Sequence, residues 1–110
     1  YTAGIDIGGI NTRIAIVNEA YEIMQRVQFS TDTDNPNATL KKIQEAVQGF
    51  GVHVNGVGLS CPGPLDLKHG VILDTPNLKG KWHGFAVSEE LAKLLGVPVY
   101  LENDAAHILK

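Results

Sequence analysis

Apolar positions in the first third of the chain predict three short strands. Residues Ala3–Ile7 are mostly apolar and end at the pair Gly8-Gly9, and Arg13–Val17 continues as a second strand. The third segment, Glu22–Phe29, alternates loosely between polar and apolar side chains, which is typical of a half-buried strand. Because short connections join the three segments, the pattern predicts an antiparallel meander.

Helical periodicity begins after this meander. Asn35-Pro36 predicts a helix start, with asparagine as the N-terminal cap and proline in the first helical position. Apolar residues then follow at helical spacing until Gly49 or Gly51 ends the helix. These apolar positions are Leu40, Ile43, Val47 and Phe50. Residues Val54–Cys61 predict a fourth core strand.

The second half of the chain repeats the alternation of helix and strand. Lys68-His69-Gly70 predicts a hairpin turn, and Ser88-Glu89-Glu90 predicts the cap and acidic first turn of a second helix. Gly96 ends that helix, and Val97–Leu101 predicts the fifth core strand. A third helix is expected from Asp104 onward.

This order of elements, β-β-β-α-β-α-β-α, predicts an α/β lobe with a mixed five-stranded sheet. The first three strands pair antiparallel, and helical crossovers make the last two parallel to the first. Ligands collect at the carboxyl ends of parallel strands. Three unusual segments fall at these ends: Asp6-Ile7-Gly8-Gly9, Cys61-Pro62-Gly63-Pro64 and Glu102-Asn103-Asp104. Their convergence predicts an active face.

The end of the first strand carries groups that suit phosphate and magnesium. Asp6 can hold Mg²⁺ or order its water shell, and the backbone at Gly8 and Gly9 can approach phosphate oxygens closely. Asn11 and Thr12 supply neutral donors beside them. Neither a Walker A loop nor a GxGxxG motif is present. An ordinary tight turn is the alternative interpretation of this segment.

Three further segments carry candidate site residues, each with a structural alternative. Asp104 can act as a general base and Asn103 can bind vicinal hydroxyls, although Asp104 also suits a helix cap. Gly63 exposes backbone amides near the same edge, or simply turns the chain. Asn77 is a candidate ligand that can equally satisfy its own loop.

Other reactive side chains give weaker indications. Trp82 and His83 can line a pocket, although packing of the loop is the favoured role for Trp82. Cys61 lies at the end of an apolar strand, which favours a buried small hydrophobe over a nucleophile. The four histidines show no metal-ligand spacing, so no zinc site is expected within this chain.

Composition narrows the function classes. The 110 residues are 44% hydrophobic and 19% charged, which suits one globular domain. A net charge of −3 gives no electrostatic basis for binding nucleic acid or an anionic membrane. One cysteine permits no intrachain disulfide, and neither a signal peptide nor a membrane-spanning run is visible. We expect a cytoplasmic, reducing environment.

Four segments together resemble one known family in their order along the chain. They are Gly4-Ile5-Asp6-Ile7-Gly8-Gly9-Ile10-Asn11-Thr12-Arg13, Pro62-Gly63-Pro64-Leu65-Asp66, Pro76-Asn77-Leu78 and Pro98-Val99-Tyr100-Leu101-Glu102-Asn103-Asp104-Ala105. This ordered set resembles the ROK family (repressor, open reading frame, kinase), particularly its bacterial glucokinase-like sugar kinases. The resemblance implies a lobe of the ribonuclease H-like, actin-like ATPase fold.

The resemblance also implies roles for the candidate residues. Asp6 and the glycine pair would serve the phosphates of ATP and its Mg²⁺. The sugar pocket would include Gly63, Asn77 and Asn103. Asp104 would bind the sugar and deprotonate the attacking hydroxyl, usually the 6-hydroxyl of a hexose. The expected function is therefore ATP-dependent phosphorylation of a hexose, with glucose as the first candidate.

Two departures from the family pattern qualify this expectation. Family members usually carry threonine after the glycine pair, where this chain has Ile10, and the change removes a hydroxyl near the phosphates. The family's Glu-x-Gly-His motif, its cysteine-rich zinc motif and most of its second lobe lie beyond the matched segments. Residues 1–110 are accordingly expected to be an N-terminal lobe with little kinase activity of its own. Zinc is expected only in the missing part, and the parent is expected to be a homo-oligomer.

Alternative functions remain open at this stage. A sugar-sensing regulator of the same family would carry a DNA-binding module ahead of the domain, and Tyr1 lies almost at the first strand, which favours the kinase. A ribonuclease H-like nuclease would need more clustered acids and a basic surface. A fragment that only binds sugar weakly is compatible with every observation. The residues do not identify the sugar.

Overall fold

In the computed structural model of the chain, the described residues are 1–61, 65–73, 78 and 80–102. Five strands form one sheet, and two short strands form a separate hairpin. The sheet strands are β1 (Thr2–Ile7), β2 (Asn11–Val17), β3 (Ile23–Ser30), β4 (Gly56–Ser60) and β7 (Val99–Glu102), and the hairpin strands are β5 (Leu65–Asp66) and β6 (Val71–Ile72).

The spatial order of the sheet confirms the predicted mixed topology. The strands lie in the order β3-β2-β1-β4-β7. β1 pairs antiparallel with β2, and β2 pairs antiparallel with β3. β4 pairs parallel with β1, and β7 pairs parallel with β4. Each parallel strand follows a helical crossover, as the alternation of helix and strand predicts.

Helix α1 (Pro36–Gly49) begins as its sequence predicts. The Asn35 side chain accepts a hydrogen bond from the Ala38 N–H at 3.3 Å, and Pro36 follows the cap. Proline fits there because the first helical N–H has no partner within the helix. The buried side chains of the helix, which include Leu40, Ile43 and Val47, face the sheet.

Helix α2 (Val87–Leu95) starts differently from the expectation. Ala86 is its N-terminal cap residue and makes no side-chain hydrogen bond, so the predicted cap at Ser88 was wrong. Ser88 lies inside the first turn, where its N–H and hydroxyl both approach the carbonyl of Gly70 in the β5–β6 hairpin, at 3.3 and 3.4 Å. The Gly70 carbonyl of the hairpin therefore accepts a hydrogen bond at the helix N-terminus, as a capping side chain usually does. The predicted hairpin turn and the helix end at Gly96 are confirmed.

The core lies between one face of the sheet and the two helices. Alternate residues of β1 and β2 are almost fully buried there. These are Ala3, Ile5 and Ile7 of β1 and Ile14 and Ile16 of β2. Trp82, in a short 3-10 turn (Gly80–Trp82), completes the core ahead of α2. Neither described helix is long and apolar enough to span a membrane.

Candidate active site

The carboxyl ends of the three parallel strands lie side by side, as predicted. Asp6 at the end of β1 is in register with Ser60 of β4, and Ser60 is in register with Glu102 of β7. Neighbouring strands are about 5 Å apart, so the chain leaves all three strands within a span of roughly 10 Å. This edge of the sheet is where residues from separate parts of the sequence meet.

The turn between β1 and β2, residues Gly8–Asn11, is the best-defined part of this edge. The Gly8 N–H donates to the Asn11 carbonyl at 2.9 Å, which closes the turn. The Gly8 N–H is therefore used within the protein, and the predicted close approach of this backbone to a phosphate stays a prediction. Within the described residues, the N–H groups of Gly9 and Ile10 donate to no protein acceptor. Ile10 is 80% exposed, so the tip of the turn is open to solvent.

Glycine is required at position 8 by space. A Cβ atom built there would lie 2.9 Å from the carbonyl oxygen of Asn11, closer than real Cβ contacts allow. Asn11 itself is half-buried and pairs with Ser30 of β3, which anchors the second half of the turn. The turn is thus tightly closed, and successive backbone N–H groups in a turn suit an anion.

Thr12 does not face the turn's outer surface. Its side chain is fully buried, and its hydroxyl is hydrogen-bonded to the hydroxyl of Thr31 at 2.8 Å. A buried hydroxyl without a partner would cost about 1–3 kcal/mol, so this pairing matters for stability. The expectation that the Thr12 hydroxyl donates to a phosphate is therefore replaced by a supporting role beneath the turn.

Asp6 and Arg13 face each other across the first two strands. They are directly opposite in the β1–β2 register, so their side chains lie on the same face of the sheet. The Arg13 Nε donates to Gln28 Oε1 at 3.3 Å, which holds the guanidinium over that face. Sequence reasoning passed over Arg13, although the alternation of β2 places it on the face of Asp6.

Cys61 follows β4 and is buried beside this edge. Burial, and in second place the nearby Asp6 carboxylate, raise the pKa of the Cys61 thiol far above its ordinary value. A thiol held in its neutral form is a poor nucleophile. The prediction that Cys61 is a small buried hydrophobe is confirmed.

The donor set at the edge fits magnesium held through water and phosphate. Asp6 is a half-buried carboxylate at a strand end, and carboxylate oxygens are hard ligands of the kind Mg²⁺ prefers. Among the described residues, no three His, Cys, Asp or Glu side chains cluster to form a protein-only metal cage. Proteins commonly supply only one or two carboxylates to Mg²⁺, and water and substrate phosphates complete its coordination.

Trp82 and His83 lie ahead of α2. The Trp82 side chain is fully buried, and its Nε1–H donates to the Asp32 carbonyl at 2.9 Å, so its predicted packing role is confirmed. His83 is exposed, and its Nε2 lies 2.8 Å from the Leu78 carbonyl. Four predicted site residues lie outside the described residues: Gly63, Asn77, Asn103 and Asp104.

Two residues with contacts to distant parts of the chain were not predicted from the sequence. Thr31 and Asp32 follow β3 in a segment whose sequence suggests only a polar loop, yet both contact buried groups of other elements. The sequence carried one indication of this role: Asp32 lies three residues before Asn35, the N-terminal cap of α1. Its carboxylate accepts from the N–H groups of Asp34 and Asn35, at 3.1 and 2.9 Å.

Comparison with known proteins identifies the family that this chain matches. The family model described as "ROK family" matches residues 2–108. A glucokinase of Thermotoga maritima is 32% identical over 105 residues, covering 93% of this chain and 33% of the glucokinase. A fructokinase of Lactococcus lactis subsp. cremoris is 30% identical over 110 residues, covering 94% of this chain and 36% of its own length.

A solved structure shows the same fold. The ROK family glucokinase from Streptomyces griseus, in complex with glucose and AMPPNP, superposes with a TM-score of 0.81 at 29% identity. The match covers 93% of this chain and 32% of that one. The chain thus spans about a third of the length of the curated relatives it matches.

Proposed function

This chain belongs to the ROK family, and from that premise we propose that it is the N-terminal lobe of an ATP-dependent hexose kinase. Relatives named glucokinase and fructokinase support a hexose as the acceptor. Glucose, phosphorylated at its 6-hydroxyl, is the first candidate. The remaining lobe would lie in the parent protein and would complete both the nucleotide site and the sugar site.

The observation that carries this proposal is the β1–β2 turn beside Asp6. The N–H groups of Gly9 and Ile10, which donate to no acceptor among the described residues, follow the carboxyl end of a parallel strand, where α/β sheets bind ligands. They would bind phosphate oxygens of ATP. Asp6 would hold Mg²⁺ through its water shell, and the bound ion supplies neutralisation of charge on the phosphate oxygens.

The phosphoryl transfer itself would need residues that the resemblance assigns. Gly63, Asn77 and Asn103 would hold the sugar so that one hydroxyl points at the γ-phosphorus. Asp104 would take the proton of that hydroxyl as its oxygen bonds to phosphorus. The bond from the γ-phosphorus to the β–γ bridging oxygen breaks, and ADP leaves with that electron pair. The products are a sugar phosphate and ADP.

The test is ADP release by the full-length parent protein with MgATP and a panel of hexoses. We expect turnover with one sugar or a few, and a loss of at least about 10³-fold in kcat for Asp104→Asn, because the amide cannot accept the proton. The variant should keep its affinity for sugar within a few-fold. Turnover that survives Asp104→Asn would contradict the assigned base, and residues 1–110 alone should show little activity.

One observation favours a second candidate, a sugar-responsive regulator of the same family. The exposed tip of the turn carries Ile10, where the family pattern has threonine, so a hydroxyl next to the phosphates is lost. A parent that shows no turnover with any hexose, but whose melting temperature rises when sugar is added, would favour this regulator over the kinase.

A further inference from the structure

Thr31 contacts the β1–β2 turn at two points. Its N–H donates to the Ile10 carbonyl at 2.9 Å, and its hydroxyl is hydrogen-bonded to that of Thr12 at 2.8 Å. The first contact occupies the Ile10 carbonyl within the protein, next to the Gly9 and Ile10 N–H groups that donate to no described acceptor. The second fixes the first residues of β2 from within the core. Together with the hydrogen bond from the Gly8 N–H to the Asn11 carbonyl, these two contacts restrain the tip of the turn.

The next residue, Asp32, is itself fixed by two other elements. Its N–H donates to the Thr39 hydroxyl of α1 at 3.0 Å, and its carbonyl accepts from Trp82 Nε1 at 2.9 Å. Both Thr39 and Trp82 are fully buried, so neither partner can swing away without opening the core. The adjacent residues Thr31 and Asp32 therefore connect the β1–β2 turn to α1 and to the segment ahead of α2.

Resting on the proposed function, we propose that Thr31 is a positioning residue for nucleotide binding. It holds the N–H groups of Gly9 and Ile10 in the orientation that phosphate oxygens need. Trp82 contributes to the same end from a distance, because it fixes Asp32 and thereby the backbone that bonds to Ile10. Neither side chain touches the nucleotide.

The direct test is the affinity of the full-length parent for AMPPNP with Mg²⁺, measured by calorimetry without sugar. Thr31→Val keeps the shape and the N–H but removes the hydroxyl, and we expect Kd to rise about tenfold. Thr31→Ser keeps the hydroxyl and should restore Kd to within about twofold of wild type. Thr12→Val removes the other half of the same hydrogen bond and should weaken binding similarly. The double variant, which leaves no unpaired hydroxyl, should be no worse than either single one.

Trp82→Phe tests the hydrogen bond from Trp82 to Asp32, which lies further from the β1–β2 turn. Phenylalanine fills most of the same space but cannot donate to Asp32, and we expect the AMPPNP Kd to rise about threefold. Gln44→Met is the matched control, because Gln44 Nε2 donates to the Leu94 carbonyl at 3.0 Å and so ties α1 to α2 without touching the turn. It should leave the AMPPNP Kd unchanged. Melting temperatures of all variants verify that each one folds.

The outcomes separate this inference from the proposed function. If Thr31→Val lowers the melting temperature but leaves the AMPPNP Kd within twofold, Thr31 is only structural and the inference fails. The inference also fails if Thr31→Ser does not rescue, or if Gln44→Met weakens binding equally. If the parent binds AMPPNP with the expected pattern but phosphorylates no hexose, the proposed kinase fails and the inference stands. In a working kinase, KM for MgATP should rise while KM for sugar and kcat stay within twofold.

Discussion

Two tight turns in this chain depend on glycine for different reasons. In the β1–β2 turn, Gly8 is needed because an added Cβ would lie 2.9 Å from the Asn11 carbonyl oxygen. In the β5–β6 turn, Gly70 has a φ of +69° and packs directly against the Ser88 side chain. Space alone demands the first glycine, whereas backbone conformation and contact together demand the second.

The two turns also differ in what their polar groups do. The β5–β6 turn is used within the protein, since the Gly70 carbonyl anchors the start of α2 and the Asp66 side chain accepts the His69 N–H at 3.2 Å. The β1–β2 turn is held by contacts of Thr12 and Thr31, and the Gly9 and Ile10 N–H groups at its tip donate to no acceptor among the described residues. These N–H groups at the tip of the β1–β2 turn, unpartnered in the described part of the chain, are the feature that suits a ligand there.

The largest effect that separates the two turns is expected at Gly8. The methyl group of Gly8→Ala would push the Asn11 carbonyl away and reopen the turn, so kcat/KM for MgATP should fall about 100-fold, as displacement of a binding group by an ångström does. Gly49→Ala is the matched control, because an added Cβ there meets nothing within 4 Å in the described part of the chain. Steady-state kinetics of the parent give both numbers, and a Gly8→Ala enzyme with near-normal kcat/KM would remove this turn from the site.

A smaller effect, on stability alone, is expected at Gly70. Gly70→Ala forces an alanine into a left-handed conformation and against Ser88, so the free energy of unfolding should fall by about 2 kcal/mol. Gly80→Ala isolates the conformational part, since Gly80 has a φ of +52° with no described neighbour within 4 Å, and it should cost about 1 kcal/mol. Denaturant unfolding measures both variants. Equal losses would show that the Ser88 contact contributes nothing, and a raised KM for MgATP would show that the two turns are not separate.

The fold was predictable because its signals are local and periodic. Alternation in β1 and β2, helical spacing after Asn35-Pro36 and glycine after α2 each identify one element, and short connections set the pairing. Ser88 was misplaced because its partner, the Gly70 carbonyl, lies 18 residues away in sequence. A long-range backbone partner leaves no local pattern.

The site was predictable only in part for a similar reason. Asp6 and the glycine pair follow from a strand end, but the direction of each donor depends on contacts such as Thr31 with Ile10, which periodicity does not encode. The burial of Thr12 was within reach, because Thr12, Ile14 and Ile16 alternate on the core face of β2. The roles of Asn77 and Asp104 rest on the resemblance to the ROK family and stay predictions.

The smallest expected effect is the pH dependence of stability that comes from the Asp66–His69 pair in the β5–β6 turn. The His69 side chain lies 2.7 Å from the Asp66 carboxylate, and this hydrogen bond is the main reason why the pKa of Asp66 is lowered. A lowered folded-state pKa means that the unfolded chain takes up the proton first as pH falls. The pair therefore stabilises the fold above pH 4, roughly the pKa of an unfolded aspartate, and the contribution disappears as pH falls through the lower folded-state value.

His69→Gln should bring the Asp66 pKa most of the way back to its ordinary value. The variant tests how much this pair contributes to the stability of the fold. Melting temperatures measured between pH 2 and 6 should show the variant below wild type above about pH 4, by on the order of one degree, with the two curves converging in stronger acid. The difference is small because the His69 side chain is exposed and that of Asp66 is only half-buried, and surface pairs gain little. KM for MgATP should not change. A gap that persists at pH 2 would assign the effect to packing of His69 instead of its hydrogen bond, and a changed KM would mean that the hairpin turn, like the β1–β2 turn, contributes to nucleotide binding.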